Sequence, residues 1–168
     1  SDVYKRQPLF SLIPQNRDWI KPPVGGGGAA GFRHRYDNGA LFKSYFQYQS
    51  GSIGVGVPNP DRPELGSSFT GNNDNVFWNN VYRGALGKNW AIKALVALNY
   101  DDDRNQLNED YFGSKEWAVQ SRLTLSREWG ILHLKTGAEW VQSEGDYYFN
   151  DLNSNLLNTY SALFSEFD

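Results

Sequence analysis

The chain has 168 residues, and 16 Lys and Arg stand against 19 Asp and Glu for a formal net charge of −3. Aromatic residues at 15% exclude a disordered chain, and the mild acidity argues against a nucleic-acid partner, which calls for a basic stripe. No uncharged apolar stretch reaches the length of a membrane helix, and the absence of Cys removes disulfides, thiolate metal sites and Cys nucleophiles.

Ser1–Gln7 reads as a non-native leader resembling translated adapter sequence. Together with the absence of Met, it suggests a piece of a larger protein. Residues 8–28 read as an extended lead-in in which Gly25–Gly28 are flexible. A phosphate loop is excluded there, because no Gly-Lys-Ser/Thr opens a helix. From residue 29 to 168 period-two alternation dominates. Residues 29–36 form a first strand, and Ala40, Phe42, Ser44, Phe46 and Tyr48 share one face of a second. Residues 75–85 form a third around Phe77 and Trp78.

The clearest run is 90–100, where Trp90, Ile92, Ala94, Val96, Leu98 and Tyr100 share a face. Further on, Trp117, Val119, Ser121, Leu123 and Leu125 do the same, as do Leu132, Leu134, Thr136, Ala138 and Trp140, and 159–167 is a last strand. Tight turns are expected at Asp37-Asn38-Gly39, Leu86-Gly87-Lys88-Asn89 and Arg127-Glu128-Trp129-Gly130. The polar segments 50–74, 101–115 and 145–158 are expected to be long irregular loops at the opposite end, since Asn, Asp, Gly and Ser compete with sheet hydrogen bonding.

The expected fold is all-β: an antiparallel up-and-down meander of six or seven strands forming part of a transmembrane β-barrel. Eleven-residue strands exceed the ~5–6 of soluble sheets and match the ~9–11 that a tilted membrane strand needs. Short turns at one end, long loops at the other and aromatics near strand ends fit an outer-membrane barrel. On that reading Trp90, Ile92, Val96, Leu98, Trp117, Leu123, Leu132, Leu134 and Trp140 face lipid or its boundary. Lys43, Arg83, Lys93, Arg122, Lys135 and Glu139 line the lumen, where carboxylates such as Glu139 would balance Lys135 or Arg122. The rivals are a soluble β-sandwich binding carbohydrate through Trp78, Trp117 or Trp129, and a small closed barrel in which 29–36 pairs with 159–167.

Other motifs carry little chemistry. Asp101-Asp102-Asp103-Arg104-Asn105 starts like a calcium loop, but Gln106 replaces the required Gly and Phe112 the bidentate Glu. It reads as a solvated acidic loop. His34 and His133 lack metal-ligand spacing. Glu109/Asp110 and Glu144/Asp146 are expected in loops too flexible for a glycosidase pair. No cofactor and no enzymatic activity are expected.

Pro8-Leu9-Phe10, then Pro14 to Pro23 (Pro-Gln-Asn-Arg-Asp-Trp-Ile-Lys-Pro-Pro), then the glycines, resemble the early barrel of TonB-dependent outer-membrane receptors of Bacteroidetes type. Phe32-Arg33-His34-Arg35-Tyr36 with its turn, and Leu132 to Trp140, are similar to that family as well. The resemblance implies a plugged barrel of ~22 strands in the bacterial outer membrane, importing a scarce large solute: a siderophore, corrinoid, peptide or glycan. It also implies as partners membrane lipid and lipopolysaccharide, the plug domain of the parent chain, and TonB through parts outside this span.

Overall fold

The computed structural model describes residues 18–57 and 66–167. Seven strands lie in chain order in a single sheet: β1 (Asp18–Arg35), β2 (Leu41–Val57), β3 (Ser67–Leu86), β4 (Trp90–Leu107), β5 (Asp110–Trp129), β6 (Leu132–Phe149) and β7 (Leu152–Phe167). All neighbours are antiparallel, so the all-β up-and-down meander is as expected. The sheet is not closed. No ladder joins β1 to β7 among the described residues, which removes the small closed barrel.

Among the described residues the long loops are absent where they were expected. Segments 50–57 and 67–74, 101–107 and 110–115, and 145–149 and 152–158 are continuous strand, extending the hairpins well past the alternating runs. Each strand is therefore 16 to 20 residues long, about twice a membrane crossing. The β4–β5 and β6–β7 turns at that end are two residues each, Asn108-Glu109 and Asn150-Asp151, with the asparagines at φ 55° and 50°. Asparagine tolerates this left-handed backbone better than most residues.

Each asparagine also clasps the neighbouring hairpin. Asn108 N donates to Ser68 O and Asn108 Oδ1 accepts from Ser68 N, both at 2.8 Å. Asn150 repeats the arrangement on Tyr111 at 2.7 Å. At the opposite end the expected turns are present, with Gly39, Gly87 and Gly130 at positive φ. The last is shifted, because β5 runs through Trp129 and the chain reverses at Gly130-Ile131.

The glycines of the expected lead-in also belong to the sheet. Strand β1 begins at Asp18, and Gly25–Gly28 pair with Gly51, Ser50, Gln49 and Tyr48. A Cβ on Gly27 would stand 2.5 Å from Tyr48 O, so close backbone approach requires glycine there. Register shifts fall between Trp19 and Val24, around Pro22 and Pro23, the edge-strand position where prolines are tolerated. Residues 1–17, which hold the expected leader, Pro8–Phe10 and Pro14–Arg17, lie outside the described residues.

No second layer packs on this sheet among the described residues. Ala40, at the end of the β1–β2 turn, is the one buried hydrophobic residue among those described. Val96 and Leu123 are both 44% exposed, and Leu98 and Leu134 are half-buried by lateral neighbours only. The common dry interior that a sandwich demands is not formed.

Candidate functional site

Because directly paired residues share a face, the register sorts the side chains into two surfaces. Trp90, Ile92, Val96 and Leu98 of β4 align with Arg127, Leu125, Ser121 and Val119 of β5. These in turn align with Leu134, Thr136, Trp140 and Gln142 of β6. All nine residues expected to face lipid fall on this side: Trp90, Ile92, Val96, Leu98, Trp117, Leu123, Leu132, Leu134 and Trp140. Lys43, Arg83, Lys93, Arg122, Lys135 and Glu139 all fall on the other.

The apolar side is a band with edges. Its rows carry Phe42, Tyr82, Ala94, Leu123, Ala138 and Leu163, then Ser44, Asn80, Val96, Ser121 and Trp140, and then Phe46, Trp78, Leu98 and Val119. One boundary row holds Tyr48, Val76, Tyr100 and Trp117. Trp140 sits two rungs inside that boundary, and Tyr100 and Trp117 are in mid-strand rather than near loops, because the strands continue past them. From Trp90 to Tyr100 is about 33 Å along the strand at ~3.3 Å per residue. At the ~45° inclination of a barrel strand this gives a height of about 23 Å, against the ~25 Å apolar belt of outer-membrane barrels.

Beyond the aromatic row the same face turns polar at once, with Ser50, Asp74, Asp102, Lys115, Asp146 and Asn155 in one row. Arg104 binds the Asp74 carboxylate and lies 3.4 Å from Asp102, and Tyr48 Oη donates to Asp74 at 3.1 Å. Hydrogen bonds from Ser50 and Tyr48, together with the Arg104 guanidinium, hold the Asp74 carboxyl below its usual range. Asn155 Nδ2 donates to both Glu144 and Asp146, so these two carboxylates lie on strand β6 and not in a loop.

The opposite face changes character along its length. Toward the Asn108 end it is amide and acid: Asn73 Nδ2 donates to Asp101 and Asp103 at 3.0 and 2.7 Å, and Asn75 Nδ2 to Asp101 at 2.8 Å. The acidic segment is thus strand, and alternation sends Asp102 to the other side of the sheet from Asp101 and Asp103. A calcium-loop arrangement cannot form. Among the described residues no group of three or more His, Asp or Glu converges on a metal position. His34 and His133 lie on opposite faces, with His34 between Phe32 and Tyr36.

Toward the short-turn end this face is basic. Arg122 lies 3.8 Å from Glu139 and Lys135 lies 3.2 Å from Glu166, so two of the cations are paired with carboxylates. Lys43, Arg83 and Lys93 make no ion pair among the described residues. Arg83 stands directly across from Lys93, and Arg33 across from Lys43. Like charges directly opposite work against a sheet, where opposite pairs contribute roughly 0.2–1 kcal/mol. The surface therefore wants anionic groups from outside these strands. No protein-family model matches the chain, and no curated protein matches it.

Proposed function

We propose that this sheet is a section of the wall of a transmembrane β-barrel in the bacterial outer membrane, part of a TonB-dependent importer of a large solute. The observation that carries the reading is the uncovered apolar band, bounded by an aromatic row and about as tall as a bilayer core, on a sheet whose reverse face is polar and charged. In water such a band is an aggregation surface; in lipid it is the ordinary exterior of a barrel.

Topology supports incompleteness. With seven up-and-down strands, β1 and β7 run in the same direction, so joining them would need a parallel ladder. Antiparallel barrels of this class close with an even strand number, and hydrocarbon tolerates no open edge. Strands from outside the described residues therefore flank both edges. The unpaired Lys43, Arg83 and Lys93 face the lumen, where a plug domain supplies carboxylates. The hairpins projecting beyond Tyr100 and Trp117 form part of the mouth that meets the solute and lipopolysaccharide. Transport and TonB coupling rest on the resemblance carried by residues 8–36 and 132–140.

The test is sequencing of the flanking coding region, with the 168-residue chain studied in buffer and the barrel completed by its flanking strands studied with phospholipid vesicles. The reading expects aggregation of the 168-residue chain in buffer, protease-resistant β-structure of the completed barrel with vesicles, and a plug domain encoded upstream. A soluble, cooperatively melting monomer would refute it.

A further inference from the structure

On the apolar face, between the row of Trp90 and the row of Leu98, the described residues include one Lys, Arg, Asp or Glu: Arg127. It lies at the short-turn edge of the band, paired across the strands with Trp90 and Leu134. Its guanidinium carbon stands 4.1 Å from the ring centre of Trp129 and 5.0 Å from that of Trp90. The two indoles meet edge-on at 6.2 Å.

Arg127 makes no ion pair among the described residues, and its Nε is shut from solvent without a hydrogen-bond partner. The nearest carboxylates along this face are Glu144, in the row of Tyr100, and Asp74, Asp102 and Asp146 one row beyond. The nearer row is about 33 Å away along the strand. The rings hold the side chain in place, but nothing among the described residues on this face neutralises it.

We infer that Trp90, Arg127 and Trp129 form a clamp for the headgroup phosphate of a phospholipid in the leaflet at the short-turn end. Three features fit that occupant. A cation is costly at the bilayer midplane and far less so near the interface, so its place at the band's edge is where it is tolerated. Indole rings favour the headgroup level. A planar guanidinium held by stacking presents its free donor edge to tetrahedral oxyanions in pairs. The inference rests on the membrane reading, since a soluble sheet would bring no headgroup to this edge.

The test uses the full chain labelled with 15N at arginine, with the Arg127 Nε–H resonance assigned by its loss in Arg127→Lys. Three media separate the sources of phosphate: lysophosphatidylglycerol micelles, dodecyl maltoside micelles, and maltoside micelles with inorganic phosphate. The expected result is a resonance shifted in the phospholipid alone. Identical resonances in both micelles would overturn the clamp while leaving the membrane reading intact. A shift reproduced by inorganic phosphate in maltoside would replace it with a site for a soluble oxyanion. A chain that enters neither micelle would overturn the membrane reading itself, and the clamp with it.

Discussion

Leu123→Arg separates a lipid-facing wall from a water-facing sheet. Leu123 lies near mid-height of the apolar band, between Ala94 and Ala138, and is 44% exposed. In water a half-exposed site with no buried polar partner tolerates substitution within about ±0.5 kcal/mol. In a bilayer the arginine falls near the midplane and costs ~2–4 kcal/mol, about 30- to 700-fold in the folding equilibrium at tenfold per ~1.4 kcal/mol. Gln120→Arg is the control: it sits on the reverse face, where Gln120 already donates to Glu139 at 2.8 Å, and an arginine there keeps a carboxylate partner. Urea titration of both variants in phospholipid vesicles, followed by tryptophan fluorescence, measures the difference. If Leu123→Arg matches the parent chain while Gln120→Arg is the destabilised one, the faces have been assigned the wrong way round.

Other perturbations probe the strands beyond the band and the edge. Asn108→Ala removes both the side-chain acceptor for Ser68 N and a residue suited to φ 55°. It should cost about 1–2 kcal/mol, seen as faster amide exchange at Ser68, whereas Asn108→Gly keeps the turn and loses only the clasp. Since the Asp74 carboxyl is held below its ordinary 3.8 by Ser50, Tyr48 and Arg104, its stabilisation is complete above that value. It is lost as pH falls through the lowered one. Amide protection around Ser50 and Asp102 should therefore drop below about pH 3.8, and Asp74→Asn should abolish that dependence. Gly27→Ala, with its Cβ 2.5 Å from Tyr48 O, should loosen β1 from β2 by about 1–3 kcal/mol, read as exchange confined to that pair.

How far the sequence discloses this fold depends on which signal is weighted. Alternation in 90–100, 117–125 and 132–140 sorted the residues of these runs onto the two faces that the register shows, because a period of two is a geometric property of strands. Composition misled in 101–115 and 145–158. Asparagine and aspartate disfavour strands on average, yet β-propensity reflects the surroundings more than the backbone. Here Asn73, Asn75 and Asn155 satisfy the acids across the sheet.

The reversals at Asn108-Glu109 and Asn150-Asp151 lack the Asn-Gly pair that signals a hairpin. Their mark is a left-handed asparagine with a clasp on the next hairpin, which only the register reveals. Gly25–Gly28 looked like a tether for the same reason: glycine is read as freedom, and close strand approach is visible only with Tyr48 alongside. The Trp90–Arg127–Trp129 cluster was concealed because 127–129 read as a turn. Its signal was present as indoles at the facing ends of two neighbouring strands.

Accessibility along β4 tests the central claim most directly. The chain has no Cys, so single cysteines at successive positions from 90 to 107, each carrying a nitroxide, report their surroundings in vesicles without interference. The account predicts that Ile92, Ala94, Val96 and Leu98 positions are relaxed by membrane-dissolved oxygen. Lys93, Leu95 and Ala97 positions should be shielded from it, and contact with an aqueous nickel chelate should begin beyond Tyr100. Equal exposure of even and odd positions to the nickel chelate from 92 to 98 would contradict it.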